Sequence, residues 1–294
     1  MDLSNLNKEI TFLDDEISDD KELANTIRGF QTYNKDDKVV SSDDILKKIK
    51  NDGSNVQNKY FTGIPSLDEI IGGFREGQLV VLSAPTGQGK TMFLQDITRT
   101  FYSNKINCLW FSYEVAHQEF FERFGDNIPV FYLPLKIIQS KTEWLYQRIL
   151  EGIAKFNTKI IFVDHLHFLV EMQLLSQATN ISLLIGMLMR ELKKIAIKTK
   201  TVIFLVSHLR KLQLDKLPSI DDLRDSSFVA QESDIVMIMW RNKEKGGGFL
   251  NEATLIVDKN RRTGKTGKIQ LIFENGRFSQ IDDREVKNSE DLPF

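Results

Sequence analysis

Residues 84–91 read Ala84-Pro85-Thr86-Gly87-Gln88-Gly89-Lys90-Thr91, and their flanks decide what they are. The apolar run Leu79-Val80-Val81-Leu82 leads in, and Met92-Phe93-Leu94-Gln95-Asp96-Ile97 leads out with helical spacing. Strand, glycine-rich loop and helix in that order are the setting of a phosphate-binding loop. The glycines let backbone N–H groups converge on phosphate oxygens, and the helix N-terminus adds the positive end of its dipole. Lys90 is placed to reach the β- and γ-phosphates of a nucleotide, and Thr91 to hold Mg²⁺. Ala84 stands where the motif has its first glycine; a small residue still makes the turn.

A second Gly-Lys-Thr, Gly264-Lys265-Thr266, serves as an internal control. The run after it, Lys268-Ile269-Gln270-Leu271-Ile272-Phe273, alternates like a strand. No helix N-terminus would face a phosphate there, so it reads as a turn between strands.

The chain has 294 residues, 41% of them hydrophobic. That suits one large domain of about 240 residues with a short extension. The net charge of −2 argues against a broad basic surface. A narrow nucleic-acid channel needs only local Lys and Arg and stays open. The single cysteine, Cys108, excludes a disulfide framework and a Cys-rich zinc site, and reads as a small buried apolar residue. The acidic, polar start is no signal peptide, and no apolar run is long enough to span a membrane. The expectation is an intracellular protein with no membrane partner, in the cytoplasm of a bacterial or phage-infected cell or in an organelle.

Residues 1–57 form an acidic N-terminal extension. Residues 1–50 hold 12 Asp+Glu against 8 Lys+Arg. Asp14-Asp15-Glu16 and Ser18-Asp19-Asp20 read as solvated chain. Ser42 to about 50 reads as a short amphipathic linker helix that needs a surface to dock on. Residues 58–283 form the main domain, and 284–294 a polar tail. In the main domain apolar runs recur at 79–83, 107–113, 128–133, 159–163, 201–206 and 234–240, separated by helical segments such as Asn180 to Lys198. This predicts an α/β fold: a mostly parallel sheet flanked by helices. The alternating runs 252–258 and 268–273 predict an antiparallel edge hairpin.

Ligands of a parallel open sheet bind at the C-terminal ends of its strands. Polar residues stand at four such ends: the phosphate loop, Glu114, Asp164 and Ser207-His208. Asp164 follows four apolar residues and is the expected Mg²⁺ partner of Thr91. Glu114 is the candidate general base for an attacking water. His208 is a candidate contact of the γ-phosphate. The spacing of His165 and His167 suggests no metal cluster, and His117 has no distinguishing context. Arg241 to Arg277 holds nine Lys+Arg against four Asp+Glu. Taken alone, such a run also fits a solvated hairpin.

One longer segment is more discriminating. It runs Asp222-Leu223-Arg224-Asp225-Ser226-Ser227, then Ala230-Gln231-Glu232-Ser233-Asp234, then Val236-Met237-Ile238-Met239-Trp240-Arg241. It resembles the fourth motif of the DnaB-class hexameric replicative helicases of superfamily 4, D-L-R-x-S-G then Q-x-A-D. Ser227 replaces the usual Gly and Ser233 the usual Ala. His208, Asp164-His165 and Lys259-Asn260-Arg261 look closer to the phage helicase-primase and Twinkle branch. The resemblance covers roughly Phe61 to Ile281 and implies a RecA-like P-loop NTPase core. It implies a homo-hexamer that uses ATP, or another NTP or dNTP, with Mg²⁺ to translocate on single-stranded DNA and open forked DNA. It makes Glu114 the catalytic glutamate, Arg261 an arginine finger supplied to the neighbouring subunit, and Lys259 its companion. Arg241 would stack on the base, and Arg224 and Asp225 would touch the DNA backbone. Arg210, Lys211 and Lys216 would face the channel, although for each a solvated surface charge is the competing reading. The extension is too short for a primase, so priming is expected from a separate primase or replisome partner. A RecA/RadA-like recombination ATPase and a non-catalytic DNA-loading ring are the alternatives.

Overall fold

The computed structural model describes residues 20–35, 38–51, 58–125, 127–137, 142–169, 181–209, 217–223, 226–242 and 248–281. The chain divides into two compact units, Met1–Val56 and Gln57–Phe294.

The first unit holds α1 (Asp20–Gln31) and α2 (Ser42–Asn51). Ser41 caps α2: its hydroxyl accepts from the Asp44 N–H at 3.1 Å and donates to the Asp44 carboxylate at 2.7 Å. Asp43 and Asp44 in the first turn and Lys48 and Lys50 in the last complement the helix dipole. Ile45, Leu46 and Ile49 are exposed. Helix α1 was hidden by its acidic surroundings, yet Leu23, Ile27 and Phe30 recur at helical spacing.

The second unit opens with β1 (Lys59–Tyr60), α3 (Pro65–Ile71), β2 (Phe74–Arg75), β3 (Leu79–Ala84) and α4 (Lys90–Ser103). There follow β4 (Cys108–Ser112), α5 (His117–Glu122), α6 (Thr142–Phe156), β5 (Ile160–Asp164), α7 (Ile181–Thr199) and β6 (Val202–His208). It closes with α8 (Ser226–Glu232), β7 (Ile235–Trp240), β8 (Glu252–Asn260), β9 (Gly267–Glu274) and β10 (Arg277–Gln280). Strands β1 and β2 pair with each other, and the other eight form one sheet in the order β10-β9-β8-β7-β3-β6-β5-β4. Strands β7, β3, β6, β5 and β4 run parallel, and β8, β9 and β10 add an antiparallel edge.

Alternation along the strands divides the core into two layers. On one face Val80, Leu82, Trp110, Phe162 and Phe204 pack with Phe93, Leu94, Ile97 and Phe101 of α4. On the other Val81, Phe111, Ile161, Val163 and Leu205 pack with α6 and with Ile185, Leu188, Leu192 and Ile195 of α7. Both faces are covered, which is why the parallel strands read as continuous apolar runs. Cys108 is buried, and burial pushes its thiol pKa up.

Within the second unit two features differ from the sequence expectation. Residues 128–133 make no strand; only Tyr132 bridges to Leu109 at the edge of β4. Pro129 lacks an amide hydrogen and Pro134 follows, so the run cannot sustain a ladder. Strand β10 was not expected. Its signal is Asn275-Gly276, whose φ values of 51° and 75° make the tight hairpin turn from β9. Gly264-Lys265-Thr266 lies between β8 and β9, as a turn. No helix among the described residues is long and apolar enough to cross a membrane.

Candidate active site

The phosphate-loop sequence leaves the C-terminal end of β3, and α4 begins at Lys90. Gly87 and Gly89 have φ of 80° and 92°, a region that side chains disfavour. Both are also crowded: an added Cβ would stand 3.3 Å from the Phe249 ring at Gly87 and 3.3 Å from Phe278 at Gly89. Lys90 lies folded over this loop and is buried. Its ammonium donates to the carbonyls of Ala84 at 3.0 Å and Pro85 at 3.1 Å and lies 3.3 Å from His208 Nδ1. Burial lowers its pKa to about 8, opposed by the charges of Asp164 and Glu114.

Behind the loop, Thr91 Oγ1 donates to Asp164 Oδ2 at 2.6 Å. Asp164 ends β5 and is 1% exposed. Its other oxygen, Oδ1, has no hydrogen-bond partner among the described residues. A buried carboxylate oxygen left in this condition is costly unless a cation or donor reaches it. Burial pushes the Asp164 pKa up to about 6; Glu114 adds to this, while the Thr91 hydrogen bond and Lys90 oppose it. A hydroxyl and a carboxylate are the hard oxygen donors that Mg²⁺ prefers, so the pair fits that ion.

Glu114 lies two residues beyond β4 and is exposed. It lines an open cleft of ≈ 420 Å³ with Tyr113, His117 and Ile137. His208 ends β6, in register with Ala84 at the end of β3. Ser112 at the end of β4 pairs with Asp164 in the same way. The sheet therefore brings Lys90, Thr91, Glu114, Asp164 and His208 to one edge, as the strand-end rule anticipates.

Arg261 and Lys259 lie elsewhere. The Arg261 N–H donates to the Asp234 carbonyl at 2.8 Å, and the Asp234 N–H donates to the carbonyl of Leu79 at 2.9 Å. Leu79 begins β3, whereas the phosphate loop follows its other end, about 16 Å of extended strand away. Within the basic run, Lys259 donates to the Ser233 carbonyl, Asn260 to Ile70 and Arg262 to Ile71. Burial, then Arg261, lowers the Lys259 pKa. Arg261 itself is exposed, and its side chain makes no hydrogen bond or ion pair among the described residues.

Asp234 anchors this corner, a role that sequence reasoning missed. Its carboxylate accepts from the Leu79 N–H at 2.8 Å and from Lys193 at 2.6 Å. Ser233, where the motif has Ala, satisfies its hydroxyl on the Val229 carbonyl.

Arg241 follows β7 and is 9% exposed. Its guanidinium lies over the rings of Phe249 and Phe273, with Nε donating to the Leu250 carbonyl at 2.8 Å. Gln88 of the phosphate loop grips its backbone. Pro85, Thr86, Gly87, Gln88 and Gly89 complete the loop. Arg224, Asp225, Arg210, Lys211 and Lys216 lie outside the described residues, as do the linker before residue 58 and the polar tail.

The sequence profile of the family described as DnaB-like helicase C terminal domain matches residues 60–127 and 136–282. The chain is 28% identical over 262 residues to the replicative DNA helicase DnaB of Mycoplasma pneumoniae, covering 73% of this chain and 54% of that one. It is 23% identical over 290 residues to its counterpart in Mycoplasma genitalium, covering 83% and 61%. The chain thus spans between half and two thirds of the length of these relatives. A solved structure described as an ATPase domain superposes with a TM-score of 0.67 at 21% identity, over 83% of this chain and 100% of that one. A DnaB-like replicative helicase, solved to show its interactions with primase, superposes with a TM-score of 0.66 at 20% identity, over 94% and 77%. These likenesses give the fold as RecA-like. With more than half of its residues matched by the profile, the chain belongs to the DnaB-like helicase C terminal domain family.

Proposed function

We propose that the chain is the motor of a replicative DNA helicase, a homo-hexameric ring that hydrolyses ATP, or another NTP or dNTP, as it moves on single-stranded DNA. One observation carries this reading. The groups that handle the nucleotide gather at one edge of the sheet, while exposed Arg261 is held at the other. Arg261 completes a site by reaching the phosphate loop of a neighbouring copy, so hydrolysis depends on assembly.

In this mechanism the loop N–H groups and Lys90 bind and orient the phosphates, and Lys90 leaves the Ala84 and Pro85 carbonyls to do so. Thr91 and Asp164 hold Mg²⁺, which supplies charge neutralisation on the phosphates. Glu114 orients the attacking water and accepts its proton. His208 contacts the γ-phosphate. Arg261 from the neighbouring copy, supported by Lys259, stabilises charge developing on the transferred group. Arg241 holds the loop; stacking on a base would require it to leave Phe249 and Phe273. Arg224, Asp225, Arg210, Lys211 and Lys216 follow the DNA backbone with little sequence preference. The acidic unit before the motor uses α2 to link adjacent subunits. A separate primase or replisome partner belongs to the same reading, because a structural neighbour is described with primase.

The test is hydrolysis with and without single-stranded DNA, beside native mass and unwinding of a fork. Strong stimulation, a ring mass and unwinding support the proposal. Filaments with strand exchange would mean a recombination ATPase, and no turnover a loading ring.

A further inference from the structure

Strands β4, β5 and β6 are adjacent and parallel, so their C-terminal ends share one edge. Glu114 follows the first, His165 the second, and His208 ends the third. One carboxylate oxygen of Glu114 and one ring nitrogen of each histidine lie within 4.8 Å of one another. The two imidazoles meet edge to face with centroids 4.6 Å apart. We propose that Glu114, His165 and His208 form a binding site for a borderline divalent transition ion, typified by Zn²⁺, separate from the oxygen pair of Thr91 and Asp164.

The donor set decides which ion fits. Two imidazoles and one carboxylate make a three-ligand zinc site with a fourth position open. Ligand atoms of a tetrahedral site stand roughly 3.4 Å apart for bonds of about 2.1 Å. Closing from 4.8 Å brings the ligand atoms together by up to about 1.4 Å, through rotation of the exposed Glu114 side chain and small turns of the two half-buried imidazoles. Mg²⁺ takes oxygen and water in octahedral geometry and competes poorly for two nitrogens. Lys90 approaches His208 at Nδ1, but its ammonium is also held by the carbonyls of Ala84 and Pro85.

A bound ion would occupy Glu114. If Glu114 is the general base, micromolar Zn²⁺ stops hydrolysis while Mg²⁺ remains in excess. This consequence rests on the proposed motor reading; the binding itself does not.

The experiment titrates the full, nucleotide-free chain with Zn²⁺ against a chromophoric chelator, with millimolar Mg²⁺ present. One Zn²⁺ per chain is expected, with affinity at least tenfold weaker in His165→Asn and His208→Ala and unchanged in His117→Ala. Co²⁺ added to the unaltered chain should give the visible bands of a four- or five-coordinate site and be displaced by Zn²⁺. The absence of those bands, or equal binding by wild type and His165→Asn, overturns the proposal. Hydrolysis in chelator-treated Mg²⁺ buffer tests the motor separately, so a chain that turns over but binds no Zn²⁺ sinks only this inference. Zn²⁺ inhibition that chelator reverses and His165→Asn relieves would support its consequence.

Discussion

The side-chain amide of Gln88 pairs with both backbone groups of Arg241. Its carbonyl accepts the Arg241 N–H at 2.9 Å, and its NH₂ donates to the Arg241 carbonyl at 3.2 Å. Gln88 is 3% exposed, so this latch ties the middle of the phosphate loop to the end of β7 in a dry setting. A loop whose N–H groups must converge on phosphates benefits from such fixing, because less ordering remains to be done on binding.

Gln88→Ala should therefore loosen the loop and leave two buried backbone groups unsatisfied, each costing about 1–3 kcal/mol. KM for nucleotide should rise roughly tenfold, with a smaller change in kcat. A fluorescent-nucleotide titration with thermal unfolding checks this; unchanged affinity would show that the loop holds its shape without the latch.

Asp164 sets a pH dependence. Burial raises its pKa from 3.8 to about 6, so the folded chain favours the neutral carboxyl. The stabilisation tied to that shift is fully present below pH 3.8 and is lost as pH rises through about 6. At neutral pH the metal-free chain therefore carries a buried charge that the Thr91 hydrogen bond and Lys90 offset only in part. Asp164→Asn should raise stability by about 1–3 kcal/mol at pH 7.5 in chelator. The gain should vanish below pH 4 or so, and the variant should lose the extra stability that wild type gains from Mg²⁺ with nucleotide. Unfolding midpoints across that range decide; an equal or lower midpoint at pH 7.5 would mean that Asp164 is compensated.

The contrast between these residues shows what the sequence could reveal. Lys90, Thr91, Glu114, Asp164 and His208 were legible because each follows an apolar strand, and parallel strands bring such ends together. Helix α7 was legible from its periodicity, and Gly264-Lys265-Thr266 was readable as a turn because no helix follows it. Gln88 and Asp234 were not legible as anchors. Their partners lie 153 and 155 residues away in sequence, and no local pattern encodes that pairing. The His165–His208 contact was hidden for the same reason: it follows from strand order, which histidine spacing does not report. Residues 128–133 have the apolar content of a strand, but Pro129 and Pro134 deny them the amide hydrogens and geometry of a ladder.

Gly186 in α7 meets Phe228 of α8. A Cβ added there would stand 2.4 Å from the Phe228 ring, too close for the ring to remain. Alanine favours a helix over glycine by about 1 kcal/mol, but forcing the helices apart costs about 1–3 kcal/mol. Gly186→Ala should lower the unfolding midpoint by about 2–4 °C and weaken DNA-stimulated hydrolysis more than basal hydrolysis, because α8 follows Arg224 and Asp225. A raised midpoint would show that Phe228 swings aside freely.

Helix α2 buries none of its residues, and Ile45, Leu46 and Ile49 lie exposed along it. If these side chains dock on the adjacent subunit, removing residues 1–51 should shift the native mass from a hexamer toward smaller species and lower hydrolysis in parallel. A truncated chain of unchanged assembly mass would assign the helix another use.

The position of Arg261 yields the sharpest test. Its side chain is exposed, so Arg261→Ala should change stability by no more than about 0.5 kcal/mol. Turnover should nevertheless fall about 10³-fold or more. Lys90→Ala should be equally inactive if Lys90 holds the phosphates as proposed. The two defects lie at opposite edges of one sheet, so they fall on different halves of any site shared between copies. In a random equal mixture within a closed ring, about a quarter of interfaces join an intact Lys90 half to an intact Arg261 half. Mixing the two inactive variants, with subunit exchange allowed, should therefore recover a substantial fraction of wild-type hydrolysis. If each chain used its own Arg261, no interface in the mixture would be whole and none would return. Recovery that rises with exchange time, at constant total protein, would separate sharing in trans from slow refolding of either variant.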